Sequence, residues 1–521
     1  MTFTPFGQVT SAGQQAYQFT PETYGAVGNG KIATDITSVA TSKTYTSPTV
    51  AANATAGQWI LINGANGNPG VPVIDTIASV NPGANQFTLT TQAAGSSVSN
   101  CQGVFGTDDS AAFTAALNAA QAYALAGNYM CQLILGSKIY IHAGLTQSNI
   151  GGVTYNAQLP VPYPAANGQT RKLLFQIKGA GYRPGVQYWE SLEPNMAGSA
   201  IMSMRTAPAT PDATFGIQSV IGGITSGTFT GGFQNTHLDV ENCSVWCGAY
   251  TNIKGIDATL ISGMHLDGYE SNIFAPANNL AGASSAHPYL ADLPAQALFQ
   301  NSKGIGIVWP NTANNDALTF GDIAVEGYEV GMDNCQDHLT GLRYAGLYCD
   351  VLMRANPATS HELAIQSVSA EVYNGGLRIV GGASMRLNLG WDAEGAAPAY
   401  DLNDGGNICT GQIRWTATDR AQPLITGGAK VLVLNETFGP GHIASPPAVP
   451  ASTVTATLVY RPCAVTIHTG VGVTVSAITV DGTAEGITLA ASSSAQVRVP
   501  SGKTIALTYA GGTPTWDWWA D

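Results

Sequence analysis

Acidic residues in the middle of the chain could supply the paired carboxyl groups of a glycoside hydrolase. Two carboxyl groups about 5–5.5 Å apart cleave a glycosidic bond with retention, and a separation of roughly 6.5–9.5 Å gives inversion. Each acid has a solvated, outward position as its alternative, because such positions are expected on a chain with a formal net charge of −13. The candidates are Asp239, Glu241, Asp267, Glu270, Glu326, Glu329, Glu371, Asp392 and Glu394.

Aromatic residues in the same part of the chain could bind an extended sugar chain. A ring can stack on the apolar face of a pyranose, while nearby Asn and Asp side chains hydrogen-bond the hydroxyl groups. Ordinary packing in the interior or between subunits is the alternative for each ring. The glycan-binding candidates are Tyr269, Trp309, Tyr328, Tyr344, Tyr348, Tyr373 and Trp391.

The histidines and cysteines show no pattern typical of a metal site. His237 and His265 belong to two similar His-Leu-Asp segments, and we expect them to face a neighbouring strand. Cys243 and Cys247 are the closest pair among eight cysteines, and their segment CSVWC lacks the partners of a zinc site. We expect buried thiols, with a disulfide as the alternative, and neither a metal nor a cofactor.

Composition and charge restrict the class of protein. Of 521 residues, 61 are Gly and only 10% are charged, which favours stacked strands with many turns over helices with charged faces. The excess of 33 Asp and Glu over 20 Lys and Arg argues against nucleic-acid binding. No apolar stretch has the length of a membrane span, and the first residues lack the pattern of a signal peptide. We therefore expect neither membrane insertion nor export by the usual route.

One long helix is predicted, over residues 107–126. Thr107 or Asp108 can cap its amino end, and Asp109 suits the positive end of the helix dipole. Gly127 ends the pattern, and short apolar runs typical of strands follow. The apolar face at helical spacing consists of Phe113, Ala116, Leu117, Ala120 and Ala124.

A loose repeat follows, without further long helices. The segments 318–332, 339–353, 363–377 and 385–395 align, and their starts are 21, 24 and 22 residues apart. A period of this size, built from short strands and turns, is that of one coil of a parallel β-helix. An ordinary β-sandwich is the alternative, because strand pattern alone does not separate the two. The expected inward residues are Leu318, Phe320, Ile323, Val325, Leu339, Leu342, Leu347, Leu363, Ile365 and Val368.

Shorter similarities support the repeat. The sequences DGYE at 267–270 and EGYE at 326–329 look like equivalent turn positions. Residues 271–301 are rich in Ala, Pro and Asn and fit no coil, so they predict a long excursion from the stack.

Two regions are predicted to form separate β modules. Residues 41–103 contain three strand-like runs separated by Gly, Pro and Asn. Residues 438–451 contain several prolines and predict a stiff linker, because consecutive prolines cannot hold a central strand. Beyond the linker, residues 452–521 alternate again and predict a small all-β module.

Two fragments, YGAVGNG at 24–30 and GTDDSAAFTAAL at 106–117, closely resemble the two halves of a signature of the pectate-lyase-like superfamily of right-handed β-helix proteins. In that superfamily a glycine-rich strand leads into a helix that plugs the open amino end of the stack, where apolar residues and strand edges would otherwise be exposed. The resemblance implies an all-β fold. Its parts are a right-handed parallel β-helix over 23–40 and 104–437, an N-terminal capping helix, the inserted 41–103 module and a C-terminal β-domain.

The carboxy-terminal sequence VRVPSGKTIALTYAGGTPTWDWW resembles the terminal module of minor tail proteins from phages of actinobacteria. An inserted module is also familiar from bacteriophage tail proteins of this fold. The resemblance implies a virion tail protein, made in the host cytoplasm without a signal peptide. Residues 1–22, which are polar, would then be an arm that attaches to tail or baseplate proteins.

Tail spikes of this type are homotrimers, and the end of the chain gives a reason to trimerise. Trp516, Trp518 and Trp519 would be costly as an exposed cluster, since each buries on the order of 200 Å² when packed. We therefore predict a trimer interface at these residues. Packing inside the same module is the alternative.

Enzymes of the resembled superfamily either cleave uronic-acid polymers by calcium-assisted elimination or hydrolyse glycans. The coils contain few basic residues and no Arg-Xaa-Pro-Xaa-Arg element of the lyases, which argues against elimination. We predict a receptor-binding tail protein that recognises a host cell-surface glycan. A polysaccharide depolymerase with a carboxylate pair in 239–394 is the alternative, and a purely structural baseplate component is the third hypothesis. The basic residues concerned are Arg343, Arg354, Arg378 and Arg386.

Overall fold

The fold is that of a computed structural model. It describes residues 16–62, 65, 72–143, 148–150, 153–155, 157–164, 173–181, 198–204, 218–222, 236–247, 253–259, 261, 263–271, 305–310, 318–326, 328, 330–335, 339–347, 351–355, 363–373, 378–380, 385–394, 399–403, 408–415, 424–426, 430–434, 441–442, 446–457, 462–500 and 503–520. Most of these residues lie in strands.

The amino-terminal part contains two α-helices and seven strands: β1 (Tyr17–Phe19), β2 (Lys31–Ser38), β3 (Thr44–Thr46), α1 (Pro48–Asn53), β4 (Trp59–Ile62), β5 (Val73–Asn81), β6 (Gln86–Leu89), β7 (Val98–Gly106) and α2 (Ser110–Leu125). Short 3-10 helices lie at Pro21–Tyr24 and Pro82–Ala84. The next strands are β8 (Met130–Ile134), β9 (Ile139–His142), β10 (Ser148–Ile150), β11 (Val153–Tyr155), β12 (Ala157–Pro160), β13 (Leu173–Lys178), β14 (Ser199–Ser203), β15 (Gln218–Gly222), β16 (Thr236–Cys247), β17 (Ile253–Asp257), β18 (Gly263–Ser271) and β19 (Ile305–Val308).

The middle continues with β20 (Leu318–Glu326), β21 (Val330–Cys335), β22 (Thr340–Leu347), β23 (Val351–Ala355), β24 (Leu363–Tyr373), β25 (Arg378–Val380), β26 (Met385–Glu394), β27 (Ala399–Asn403), β28 (Ile408–Trp415), β29 (Leu424–Thr426) and β30 (Lys430–Leu434). The carboxy-terminal part contains β31 (Gly441–His442), β32 (Thr455–Thr457), β33 (Cys463–His468), β34 (Thr474–Val480), β35 (Thr483–Ala484), β36 (Ser494–Val499), β37 (Thr504–Ala510) and β38 (Thr515–Ala520).

The strands β1, β8, β9 and β12–β30 form two parallel sheets, which we call the stack. From β16 onward successive strands alternate between the two sheets: even-numbered strands join the sheet of β8 and β13, and odd-numbered strands join the sheet of β12 and β15. Each return to the same sheet adds a parallel strand beside the previous one. The chain therefore winds in coils, as the repeat predicted, and the ordinary β-sandwich alternative does not describe this part.

The register confirms the spacing of the repeat. Thr319 pairs with Thr340, Thr340 pairs with Ala364, and Leu363 pairs with Met385, which are offsets of 21, 24 and 22 residues. The predicted equivalence of DGYE and EGYE is wrong, because Tyr269 lies opposite Ala324, four residues before Tyr328. The register offset between the two strands is 54 residues at Leu266 and 55 at Gly268, whereas equivalence of the two segments would need 59.

A continuous inward column holds the first sheet in register. Each of its residues is the Cα partner of the next, so the apolar side chains pack on one another at the strand spacing of about 4.8 Å. The column consists of Phe19, Leu133, Ile177, Val240, Leu266, Phe320, Gly341 and Ile365. Its apolar side chains are almost completely buried.

Gly341 breaks the apolar series for a steric reason. A Cβ at this position would lie 1.9 Å from Cζ of Phe320, so the Phe320 ring occupies the space that a side chain would need. The glycine is therefore the partner of the ring and not a gap in the core.

The predicted inward residues of the coils are correct where the side chains are described, with one exception. Leu342 is 55% exposed, and Tyr344 is the buried residue that pairs with Ile323 and Val368. The simple alternation of faces is interrupted here, because Leu342 and Arg343 are both exposed and Tyr344 is the next inward residue. The side chains of Leu347 and Leu363 lie outside the described residues.

Helix α2 closes the amino end of the stack as predicted, although it begins at Ser110 and not at 107. It contacts β1, β8 and β12, and Gly127, with φ of +89°, follows its end. The N-cap is Asp109 and not Thr107 or Asp108, and its side chain makes no capping hydrogen bond. The Asp108 carboxylate, one residue earlier, accepts a hydrogen bond from the Ser110 N–H at 3.0 Å. Its predicted apolar face is completely buried in the same core as the stack: Phe113, Ala116, Leu117, Ala120 and Ala124.

The two separated fragments of the signature are joined by hydrogen bonds. The N–H groups of Val27 and Gly28 donate to Oδ1 and Oδ2 of Asp109 at 2.6 and 3.2 Å. The Thr107 N–H donates to Asn29 Oδ1 at 2.9 Å, and Asn29 Nδ2–H donates to Thr107 Oγ1 at 3.1 Å. The glycine-rich turn thus binds the residues that start the helix.

The inserted module is a closed barrel with strand order β2-β3-β6-β5-β4-β7. It extends over 31–106 and not 41–103, because β2 and β7 are barrel strands that pair with each other antiparallel. Lys31 lies opposite Phe105, so the barrel begins and ends at one place and leaves Asn29 beside Thr107. This geometry explains why the insertion does not separate the two halves of the signature in space.

The amino-terminal boundary of the stack is earlier than predicted. Tyr17–Phe19 form β1, which pairs in parallel with β8, so these residues belong to the stack and not to an attachment arm. Residues 1–15 of the predicted arm lie outside the described residues, as do residues 272–301 of the predicted excursion.

The carboxy-terminal module consists of two four-stranded antiparallel sheets, with orders β31-β38-β33-β36 and β32-β37-β34-β35. The predicted linker over 438–451 is not a free spacer, because β31 pairs with the last strand of the module. The Trp516 Nε1–H donates to the Pro447 carbonyl at 2.7 Å, and the Tyr509 hydroxyl donates to the Pro450 carbonyl at 2.9 Å.

The cysteines whose side chains are described are all buried thiols: Cys101, Cys131, Cys243, Cys247, Cys335 and Cys463. The side chain of Cys409, in β28, lies outside the described residues. Burial raises the pKa of Cys101 and of Cys131 to about 12. Within the described part of the chain, no helix is both long enough and apolar enough to cross a membrane.

Asp109 gives a test of the junction between the two fragments. Asp109→Ala leaves the N–H groups of Val27 and Gly28 without their acceptor, at a cost of about 1–3 kcal/mol each. We expect amide hydrogen exchange in α2 to be at least about tenfold faster, measured by mass spectrometry at pH 7. Unchanged exchange would show that the junction does not hold the helix.

Asp109→Asn is the matched control, since it keeps an oxygen acceptor and removes a buried charge. Burial raises the pKa of the Asp109 carboxyl above its usual value of 3.8, although the N–H groups of Val27 and Gly28 oppose this shift. The stability linked to this carboxyl is therefore present below its usual pKa and is lost as pH rises through the raised value. We expect Asp109→Asn to retain wild-type protection, or more, at pH 7.

Gly341→Ala should destabilise the stack, because the new methyl group collides with the Phe320 ring. Overpacking of this kind costs about 1–3 kcal/mol. Thermal unfolding followed by circular dichroism should show a lower midpoint, and adding Phe320→Leu should recover part of the loss. Gly83→Ala is the control, since its Cβ would lie 3.7 Å from the nearest atom. Equal midpoints for the two alanine variants would contradict the register.

Candidate functional site

A row of polar side chains follows the outer face of the first sheet. Successive residues of a strand face opposite sides, so the neighbours of the inward column point outward. Gln18 Nε2–H donates to Gln132 Oε1 at 3.3 Å, and Gln132 Nε2–H donates to Gln176 Oε1 at 2.5 Å. The row consists of Gln18, Gln132, Gln176, Asp239, His265 and Thr319, each the Cα partner of the next.

Asp239 lies near the centre of this row and is only 9% exposed. Its Oδ2 accepts a hydrogen bond from Gln176 Nε2 at 2.9 Å, and its Oδ1 lies 2.9 Å from His237 Nε2. On the next strands, His265 Nδ1 lies 2.8 Å from Thr319 Oγ1. Both histidines thus contact polar groups of their own or a neighbouring strand. Hydrogen bonds connect the row from Gln18 to Asp239, and a separate one joins His265 and Thr319.

A second outward row lies beside the first and carries charges of both signs. Lys178, Glu241 and Asp267 are successive Cα partners, and Lys178 Nζ lies 3.3 Å from Glu241 Oε2. Asp267 Oδ1 accepts the Asp322 N–H at 3.3 Å, and Asp322 Oδ2 lies 3.4 Å from a guanidinium nitrogen of Arg343. We call the two rows together with His237, Asp322 and Arg343 the polar face.

The polar face brings together three of the predicted catalytic residues, Asp239, Glu241 and Asp267. Glu241 and Asp267 are register partners, with Cα atoms about 4.8 Å apart, and Asp239 and Glu241 are two residues apart on one strand, about 6.6 Å. These spacings suit a carboxylate pair. These carboxylates lie among amides, a lysine and a histidine, so the group offers both donors and acceptors to the hydroxyl groups of a ligand.

The other predicted acids do not join this group. Glu326 is almost completely buried, and its Cα partner on the next strand is Leu347. The backbones of Glu371 and Asp392 are register partners, and Glu394 pairs with Tyr373. The side chains of Glu270, Glu371, Asp392 and Glu394, and Glu329 as a whole, lie outside the described residues.

Three of the predicted sugar-stacking residues are core residues. Trp309, Tyr328 and Tyr344 are at most 1% exposed, so they present no ring face to a surface ligand, and that interpretation is wrong for them. The Trp309 ring centroid lies 5.9 Å from that of Phe320, and the Tyr344 hydroxyl donates to the Leu352 carbonyl at 2.9 Å. Large rings fill the interior between the two sheets. The side chains of Tyr269, Tyr373 and Trp391, and Tyr348 as a whole, lie outside the described residues.

The terminal tryptophans divide between the two faces of β38. Trp516 and Trp518 are buried in the core of their own module, with ring centroids 5.3 Å apart in an edge-to-face arrangement. The prediction of a trimer interface at these two residues is therefore wrong, and the alternative of packing inside the module is correct. Trp519 points the other way and is 49% exposed.

Sequence reasoning missed the amide part of the polar face: Gln18, Gln132 and Gln176. These residues lie before the recognised repeat, in segments that share no obvious similarity with it. Each glutamine directly precedes an inward residue, Phe19, Leu133 or Ile177, and a search for that pattern would have found them. In the described parts of the chain, no three His, Cys, Asp or Glu side chains come together as a metal site.

No protein-family model matches the chain, and no curated protein matches its sequence. Two tailspike structures are weakly similar to it. The tailspike protein gp49 from Pseudomonas phage LKA1 is 10% identical, with 94% of this chain and 81% of that chain covered and a TM-score of 0.18. The Gp54 tailspike of Acinetobacter baumannii bacteriophage AP22, in complex with A. baumannii capsular saccharide, is 11% identical, with 94% and 83% covered and a TM-score of 0.18. Similarity at this level carries no argument about the fold or ligand of this chain.

Gln176→Glu tests whether the amide row holds Asp239 in place. The variant puts a second carboxylate beside Asp239, and like charges on neighbouring strands destabilise a sheet. We expect the free energy of unfolding at pH 7, measured by denaturant titration, to be lower by about 1 kcal/mol. The difference should shrink towards pH 4, where one carboxyl of the pair takes up a proton.

Gln18→Glu is the matched control for this experiment. Gln18 occupies the exposed end of the same row, where its neighbour is an amide and not an acid. Its free energy of unfolding should stay within about 0.5 kcal/mol of wild type. A loss for Gln18→Glu equal to that of Gln176→Glu would show that the position of the charge does not matter.

Proposed function

We propose that this chain is a tail spike or minor tail protein of a bacteriophage and that its polar face binds a host cell-surface glycan. The observation that carries the proposal is the alignment of amide, carboxylate, imidazole and hydroxyl groups on successive parallel strands. The resemblance of the two signature fragments to the pectate-lyase-like superfamily, and of the carboxy-terminal module to minor tail proteins, supplies the biological setting.

The physical match is between two repeating structures. A polysaccharide presents hydroxyl groups at regular intervals, and the polar face presents donors and acceptors at the strand spacing of about 4.8 Å. The groups are already fixed by hydrogen bonds to one another, as in the series from Gln132 to Asp239, so little side-chain entropy is lost on binding. Several weak contacts along one sugar chain then add up to useful affinity.

Further parts of the proposal concern architecture and assembly. We assign the stack to the right-handed parallel β-helix class, because strand-crossover-strand connections between parallel neighbours are almost always right-handed. Three such chains would form a homotrimer in the virion tail. Residues 1–15 would attach to tail or baseplate proteins.

A depolymerase is the alternative function, and one observation favours it. Glu371 and Asp392 are Cα partners on adjacent strands, which is the backbone placement that a carboxylate pair requires. In that case the polar face would hold the glycan, and the pair farther along the stack would cleave it. A purely structural baseplate component, the third hypothesis, would bind no glycan.

A binding assay with purified polysaccharides tests the proposal. Wild-type protein should bind at least one member of an array of bacterial envelope polysaccharides, including arabinogalactan and capsular polysaccharides. The double variant Glu241→Gln, Asp267→Asn should bind that polysaccharide at least about tenfold more weakly, a loss of about 1.4 kcal/mol. Asp481→Asn, an exposed acid of the carboxy-terminal module paired with Lys503, is the control and should bind normally.

The same samples separate binding from cleavage. Reducing ends should stay constant over time if the protein is a receptor-binding component. Release of fragments that stops in Glu371→Gln or Asp392→Asn, with binding retained, would establish the depolymerase instead. Absence of binding to every polysaccharide and to intact host cells would contradict both and support the structural hypothesis.

A further inference from the structure

The carboxy-terminal module has a polar outer sheet face with one tryptophan in it. In the sheet of β31, β38, β33 and β36, the residues facing the core include Val465, Val497 and Trp518. The alternate residues of the same strands face away from the core. Trp519 is one of these, and about half of its surface is exposed.

The register places short side chains next to this tryptophan. Ala464 is the Cα partner of both Trp519 and Arg498, and so it lies between them on the outer face. In the next row, Thr466 is the Cα partner of both Asp517 and Gln496. Ala464 and Thr466 of the central strand β33 thus have short side chains, and the side chains beside them on β38 and β36 are longer.

Hydrogen bonds fix the polar groups of this face. His468 Nε2 lies 3.1 Å from Asp517 Oδ2, and Gln496 Nε2–H donates to Thr466 Oγ1 at 3.3 Å. Each of these groups is partly exposed, so its donors and acceptors lie at the surface of the sheet. The arrangement is an aromatic surface beside oriented donors and acceptors.

We propose that this face is a second glycan subsite, in which a pyranose ring stacks on the Trp519 indole. Its hydroxyl groups would bind to Asp517, Gln496 and Thr466. The C–H groups on one side of a pyranose suit the negative face of an indole ring, and the hydroxyl groups at its edge suit a carboxylate and an amide. The ligand class rests on the proposed function, because the same host glycan would meet both the polar face and this module.

The surroundings of Trp519 favour a sugar over a second subunit. A subunit interface would remove water from Asp517, His468 and Arg498 together, and burying charged groups without new partners is costly. A sugar instead supplies hydroxyl groups that replace the lost water. The single indole also falls short of the apolar core that a stable subunit interface needs.

The full-length chain and the same polysaccharide array test the proposal. Trp519→Ala should reduce affinity for the polysaccharide that wild type binds by at least about tenfold, which is about 1.4 kcal/mol. Trp519→Phe, which keeps a ring, should restore part of it, and Gln496→Ala should give an intermediate loss. Val471→Ala, at a 93% exposed apolar residue of the same module, is the matched control and should bind as wild type does.

Three outcomes would overturn the proposal. The first is that Trp519→Ala binds the polysaccharide within about twofold of wild type. If the Glu241→Gln, Asp267→Asn variant binds more weakly in the same assay, this outcome contradicts only the second subsite and leaves the proposed function of the polar face supported. The second is a change from trimer to monomer for Trp519→Ala in sedimentation velocity, which would assign the residue to a subunit interface. The third is a wild-type chain that binds no polysaccharide, which removes both proposals.

Discussion

The register of the stack is the constraint on which the other features depend. Burial of the inward column from Phe19 to Phe320 fixes how each strand pairs with its neighbours. Because side chains alternate between faces, the same pairing fixes the outward rows, and a slip of one residue would move Gln176 and Asp239 into the core. Burial of the apolar side chains inside the stack therefore also determines how the polar side chains line up on its outer surface. The hydrogen bonds along the polar face follow from the register and then reinforce it.

The amino end shows how the stack tolerates a large insertion. A sheet that ended at β1 without cover would leave apolar residues in water, and α2 supplies the cover. The first and last strands of the barrel, β2 and β7, pair with each other, so the chain enters and leaves the barrel at one place. The turn that contains Val27 and Gly28 therefore still contacts Asp109. The insertion therefore lengthens the chain between the two halves without lengthening their separation in space.

Sequence reasoning predicted the features that depend on spacing along one element. The coil offsets, the buried face of α2 and the strands of the two small modules are of this kind, because each reflects a short period of apolar residues. It failed where the alternation of faces is interrupted: Leu342 was expected inside, but it is exposed, and Tyr344 takes the inward position. It also failed for rings that looked suitable for sugars, since burial of Trp309 or Tyr328 depends on the whole interior and leaves no local signal. The amide row was missed because its glutamines are far apart in the sequence and become neighbours only when the strands pair.

The central claim is that the outward rows of the stack hold a glycan, and a structure with bound oligosaccharide tests it most directly. A fragment of the best-binding envelope polysaccharide would be added to the full-length protein, and the complex solved by crystallography or electron cryomicroscopy. The account predicts sugar density along the face formed by Gln176, Asp239, Glu241 and Asp267. Sugar density confined to another part of the molecule, with these side chains still bonded only to one another, would contradict it.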